Sequence, residues 1–392
     1  MKKSAVGILF CVLLLVSFGV VMLYSASYPF ALRASQCQGD PYWFVERQLK
    51  WLAIGLFAMM AAAKFDYALW RRFAVPFWVL AVVLLVAVLI PGVGYRINGA
   101  RRWLPPGFQP SELSKLAVIV GLAFCLERWQ RDVEGIGIWN CLRLKQRLSH
   151  LGRGFALPML VMGIVSVLIL AEPDVGTSVL VGLVGFSRMF VAGVRWWLLT
   201  PCYGGAAYGV YQYLVHDPVR WERIIAFTDL EKYKDGAGLQ QYQAMLAFGS
   251  GGPYGAGLGH SRAKELYLPL ASSDFIAPVI GEEWGFVGML GLLAVFMALI
   301  ALGLYVARHA RDVFGSLLAI GVVSLIGFQA LINLAVVTAW MPNKGMPLPF
   351  ISYGGSNLCV LLCSVGVLMS VARHAGAPEP MWAMSARKAE LG

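Results

Sequence analysis

Ten apolar runs follow one another along the chain, at about 5–28, 48–64, 73–92, 112–127, 155–171, 175–193, 196–215, 275–307, 313–340 and 355–373. A helix needs roughly 20 apolar residues to cross the hydrocarbon core, and within that core the backbone must satisfy its own polar groups. The runs therefore predict an all-α polytopic membrane protein of about ten transmembrane helices, a single integral domain over residues 1–392. Composition agrees: 59% of residues are hydrophobic and only 14% charged, outside the range of soluble domains. The run at 48–64 is short, with Lys50 and Lys64 set to snorkel at its ends. Those at 275–307 and 313–340 exceed the bilayer and must tilt or project. The first run is longer than a signal-peptide core and reads as an uncleaved helix.

The net charge of +11 is divided among short loops. With no basic tract or basic helix face, nucleic-acid binding is excluded and a positive-inside arrangement is read instead. Lys2 and Lys3, Lys64 with Arg71 and Arg72, the basic loop 128–154, Arg188 with Arg195, Arg308 with Arg311, and the tail 374–392 fall on one side. That side is cytoplasmic and holds both termini. The other side holds 29–47, 93–111, 172–174, 341–354 and one large extracytoplasmic loop, 216–274, between spans 7 and 8. Of seven cysteines, five lie in apolar runs, Cys141 lies in the basic loop, and Cys37 alone is expected to face outward. Neither a metal spacing nor a disulfide framework follows.

Chemistry is to be sought on the outer side. Arg96, Arg101 and Arg102 stand there against the topological preference, which an anionic ligand explains; Arg101 and Arg102 beside Trp103 also suit interfacial anchoring. Pro110 opens the next helix. Two residues on, Glu112 shares a face with Lys115, either lining a polar cavity or forming a buried structural pair. In Glu172-Pro-Asp174, Asp174 is explained as a helix cap, whereas Glu172 is not. Leu239, Tyr242, Met245, Leu246 and Phe248 recur at helical spacing and predict an interfacial or re-entrant helix. The glycines that follow lack the Gly-Lys-Ser/Thr end of a phosphate loop, so a flexible or close-packed loop is expected and no nucleotide or organic cofactor. The large loop ends at Asp274, which reads equally as a helix cap and as a base. Glu282 and Glu283 beyond it suggest a polar cavity. Lys344 lies among the prolines and glycines of 341–354.

Together the stretches Asn98–Lys115, Glu172–Thr177, Gly249–Glu283 and Pro342–Ser356 resemble the SEDS family (shape, elongation, division and sporulation), polytopic peptidoglycan glycosyltransferases. The run Asn343-Lys-Gly-Met-Pro-Leu-Pro-Phe-Ile-Ser-Tyr-Gly-Gly355 and Gly257-Leu-Gly-His-Ser-Arg262 look closer to its division branch than to its elongation branch. The resemblance implies polymerisation of lipid II outside the bacterial cytoplasmic membrane. It also implies a class B penicillin-binding protein as transpeptidase partner, beside other division-complex membrane proteins. It puts the catalytic aspartate at Asp274 and the family's Glu and Lys at Glu112 and Lys115. Departures stand at Ser272-Ser273, where the family has His-Thr, at Ala277 for an aromatic, and at Phe227-Thr-Asp-Leu230 for Phe-Leu-Asp-Pro.

On that resemblance the reaction joins a sugar hydroxyl to an anomeric carbon bearing undecaprenyl pyrophosphate. One base serves the acceptor. Cations stabilise the leaving pyrophosphate, supplied by Arg101, Arg102, Lys115 or a divalent ion, Mg or Mn, with Glu112 and Lys344 also counted among the substrate-binding residues. The rival class is a transporter of the lipid-linked precursor, which the intramembrane acids and broken segments also fit.

Overall fold

The structure is a computed structural model describing residues 2–97, 100–105, 107–135 and 150–375. Asn98, most of the basic loop with Cys141, and the tail from 376 lie outside the described residues. Fourteen helices are used below: α1 (Lys2–Arg33), α2 (Trp43–Lys64), α3 (Ala68–Arg72), α4 (Ala74–Leu89), α5 (Pro110–Arg128), α6 (Gln130–Gly135), α7 (Leu157–Ala171), α8 (Val175–Val191), α9 (Trp196–Val215), α10 (Pro218–Thr228), α11 (Leu239–Gly251), α12 (Ile276–Arg308), α13 (Val313–Val337) and α14 (Gly355–His374). A helix lies at each of the ten apolar runs. Five described helices are long and apolar enough to cross a membrane, and α4 and α8 are shorter apolar ones.

Four expectations need correction. The chain is not all helix: the arginine-bearing loop after α4 forms a hairpin of β1 (Tyr95–Ile97) and β2 (Ala100–Trp103), pairing Arg96 with Arg101. Three- and four-residue strands are too short to leave a period-two signature. The second run is not short, because α2 starts at Trp43 and has 22 residues. Its first turns carry Glu46, Arg47 and Lys50, and Arg47 stacks 3.7 Å over Trp43, which hides the helix from a hydropathy reading. Arg188, counted with the cytoplasmic loops, is in α8 and wholly buried, donating to the carbonyls of Val118 and Ile119. Cys37 is buried beside Ala31 and Phe44.

The long eighth run is the most informative departure. A continuous 33-residue helix would measure about 50 Å, but α12 breaks at Gly285, whose φ is +66°. The glycine-rich segment after α11 enters the break. Ala256 and Gly257 donate to the carbonyls of Glu282 and Glu283, at 2.8 and 3.0 Å. Phe286 and Val287 donate to the carbonyls of Gly252 and Pro253, at 2.9 and 3.1 Å. The loop thus completes the broken helix, as irregular backbone at membrane depth requires. Glycine is needed on both sides, since a Cβ on Gly285 would sit 2.3 Å from Gly255 N and one on Gly255 would sit 2.2 Å from Glu283 O.

The buried acids below Asp274 hold this joint closed. Glu282 accepts from Ser250, Ser261 and the amides of Arg262 and Ala263. Glu283 pairs with Lys264 at 2.8 Å and accepts from Ser25 of α1. The pair fills its space with polar contacts where a cavity was expected. α11 forms where helical spacing predicts it, and its Gln241 donates to the carbonyls of Val336 and Met341, across the end of α13 at Val337.

Candidate active site around Asp274

Asp274 stands on a tight turn just before α12. Leu270, at φ +58°, accepts from the amides of Ser273 and Phe275. Phe275 and Ile276 are buried behind the turn and root it. The helix cap is Phe275, with no side-chain cap bond, so capping does not occupy the Asp274 carboxylate. Its side chain is part-buried, and no hydrogen bond to it is found among the described residues. Its backbone carbonyl accepts from Asn333 Nδ2 at 2.8 Å. A Cβ added to Gly345 would lie 2.8 Å from Asp274 Oδ2, so the carboxylate rests against bare backbone of the 341–354 strap. Ala339 and Phe350 in this region also hold positive φ, +56° and +66°. Such outliers persist only where surrounding structure enforces them.

Charge surrounds the carboxylate. Burial first, then Asp174, pushes the Asp274 pKa up to about 6, and Arg102 and Arg223 oppose that rise. Asp174 caps α8 through Thr177 N at 3.0 Å and is held by Gln109. Glu172 is fully buried with both carboxylate oxygens unpartnered. Burial, then Asp174, raises its pKa to about 8. Burial lowers that of Lys344.

The arginines are engaged differently from the expectation of open anion ligands. Arg102 donates to the carbonyls of Glu172 and Pro173 and lies 4.0 Å from Asp174. Arg101 donates to the carbonyl of Leu89. Glu112 and Lys115 form a buried 2.6 Å pair; Glu112 accepts from Asn357, and Lys115 donates to Gln329. Asp274, Asp174 and Arg102 therefore converge, with Lys344 on the adjoining strap, while Glu282 and Glu283 belong to the loop joint. Arg223, Asn333, Gln329 and Gly345 were not singled out from sequence. Gln329 and Asn333 had a readable signal, two amides four residues apart in an apolar run; Arg223 had only the amphipathic pattern of α10. Nowhere among the described residues do three His, Cys, Asp or Glu side chains converge as a metal site.

The model of the FtsW/RodA/SpoVE "cell cycle protein" family matches residues 6–377. This chain belongs to that family. A Trichlorobacter lovleyi protein named "Probable peptidoglycan glycosyltransferase FtsW" is 39% identical over 367 residues, covering 93% of this chain and 92% of its own. Stage V sporulation protein E of Bacillus subtilis is 36% identical over 380 residues, covering 95% and 98%. Among solved structures of similar fold, a chain of a peptidoglycan synthase complex that coordinates polymerization and crosslinking superposes with a TM-score of 0.72 at 29% identity, over 94% of this chain and 97% of that one. RodA of Thermus thermophilus gives 0.66 at 28% identity, over 95% and 97%. The SEDS resemblance read from four short stretches thus extends along nearly the whole chain, and the division-type names among these relatives agree with the branch inferred.

Proposed function

We propose that this protein is a peptidoglycan glycosyltransferase that polymerises lipid II into β-1,4 glycan at the outer face of the bacterial cytoplasmic membrane, for septal synthesis. The layout proposed is ten spans with both termini inside and loop 216–274 outside. A class B penicillin-binding protein is the proposed transpeptidase partner. The observation that carries the reading is the Asp274 carboxylate, unengaged by hydrogen bonds on a turn whose backbone is clamped.

In this reading Asp274 accepts the proton of the acceptor 4-hydroxyl as that oxygen attacks the donor's anomeric carbon. Configuration inverts and undecaprenyl pyrophosphate leaves. A base must be unprotonated to act, so a pKa near 6 leaves Asp274 competent at neutral pH. Arg102, fixed by the carbonyls of 172 and 173, contributes positive field with Arg223, and Lys344 lies on the covering strap; these are the proposed stabilisers of the departing pyrophosphate. Arg101 is proposed to hold the hairpin. No second acid is required, because pyrophosphate leaves without protonation by a partner carboxyl.

The test is Asp274→Asn, purified with its partner and given labelled lipid II. No polymer is expected from a normally folded protein; near-normal polymer overturns the assignment. Transport of the precursor in liposomes without polymer, lost in Glu172→Gln but kept in Asp274→Asn, would establish the transporter class instead.

A further inference from the structure

Two amides of α13 grip the turn that carries Asp274 and the strap that lies against it. Asn333 donates both of its amide hydrogens, one to the Asp274 carbonyl at 2.8 Å and one to the Met346 carbonyl at 2.7 Å. It thereby ties the turn that carries the carboxylate to the strap that covers it. Gln329, one helical turn away on the same face, donates to the Pro347 carbonyl at 2.9 Å and to Asn357 at 3.3 Å. Its own carbonyl accepts from Lys115, which is paired with Glu112, which accepts from Asn357. These four side chains form a closed ring, joined to Asn333 through the strap, and all five are buried. Gly345, whose missing side chain leaves room for Asp274 Oδ2, is the residue just before the two pinned carbonyls.

A buried ion pair with three buried amides is a poor choice for stability, because apolar side chains of the same volume would pack there without desolvating charge. What such a network does provide is a fixed height for the strap. We propose that Asn333 and Gln329 are positioning residues for Asp274, anchored by the Glu112–Lys115 pair, which acts on the reaction through the strap and touches no substrate. This rests on the reading of Asp274 as the base. If the strap loosens, water reaches the carboxylate, and the field of Asp174, Arg102 and Arg223 on it is screened. Glu172 beside Asp174 and Lys344 on the strap are the other ionisable groups facing this space.

The experiment uses full-length protein with its transpeptidase partner and labelled lipid II, comparing wild type with Asn333→Ala, Asn333→Ser, Asp274→Asn and the double variant Glu112→Gln/Lys115→Met. For Asn333→Ala the expected result is a fall in kcat of about 10- to 100-fold with KM nearly constant. The acid limb of kcat should also move down by about half a pH unit or more as the carboxylate is rehydrated. Asn333→Ser keeps one donor and should recover part of kcat. The double variant, which leaves the Asn333 contacts in place, should shift the limb the same way with a smaller loss, and it serves if Asn333→Ala does not fold. Wild-type kcat, or a loss of kcat that tracks melting temperature while the acid limb stays put in both variants, overturns the proposal. Polymer made by Asp274→Asn overturns the base assignment instead, so the two failures are distinguishable.

Discussion

Gly345 offers the sharpest single-residue test of the proposed site, because it abuts the proposed base, Asp274. Gly345→Ala puts a methyl 2.8 Å from Asp274 Oδ2, and the carboxylate, being the movable partner, must turn away. A displacement of about 1 Å at a reacting group can lower the rate on the order of 100-fold. Polymerisation assays should show that loss in kcat, with an unchanged melting temperature. Asp274 itself is expected to be a liability for stability. Its folded pKa, about 6, stands above the ordinary 3.8, so the fold binds the extra proton between those values. The stability this proton contributes is complete below about pH 4 and lost as pH rises through 6. Asp274→Asn should therefore melt higher than wild type at pH 7.5, by the equivalent of about 1–3 kcal/mol, while losing activity. A melting temperature below wild type at pH 7.5 would contradict that. Asp274 was legible in sequence as a carboxylate at a bilayer edge, and capping was its competing explanation. The residues that hold it were harder to see, because they act across 59 and 71 positions of chain, Asn333 and Gly345 to Asp274, and single-sequence spacing is blind at that range.

At the scale of elements, the break in α12 depends on a backbone geometry only glycine supplies. Gly285→Ala has to adopt φ +66° and meets Gly255 N at 2.3 Å; a loss of at least ~2 kcal/mol is expected, seen as a lower melting temperature and faster proteolysis of the segment around 252–270. The Lys264–Glu283 pair makes a second element-level prediction. Lys264→Met leaves a buried carboxylate unpaired and should cost about 3–5 kcal/mol, whereas Lys264→Met with Glu283→Leu should cost far less; a double-mutant cycle measures the difference. The run at 275–307 exceeds the bilayer thickness, and tilt or projection is what its length predicts. Nothing in its apolar composition marks where it breaks, because the break is completed by a loop 30 residues earlier. The helix α11 was legible, having a strong local pattern. The hairpin β1–β2 was not, having too few residues for one.

For the whole molecule, hydropathy placed a helix at every expected span, because lipid leaves the backbone few alternatives. It misjudged Arg188, since the positive-inside rule weighs charges without knowing which of them are buried. Orientation is tested by cysteines introduced singly into a cysteine-free variant. A cysteine at Tyr267, which is exposed, should react with an impermeant maleimide on intact cells, and one at Ala310 only after permeabilisation; the reverse pattern would invert the topology.

The strap has a consequence for biogenesis. Asp274 leaves the ribosome about 70 residues before the segment that covers it, and its neighbours 333, 345 and 346 are made last but for α14. A nascent chain can therefore insert most of its helices, and even dock its loop 216–274, while its carboxylate is still uncovered. A chain cut short before Met341 would be membrane-embedded and inert. Competence arrives late in synthesis, which keeps partial products from acting on the wall precursor.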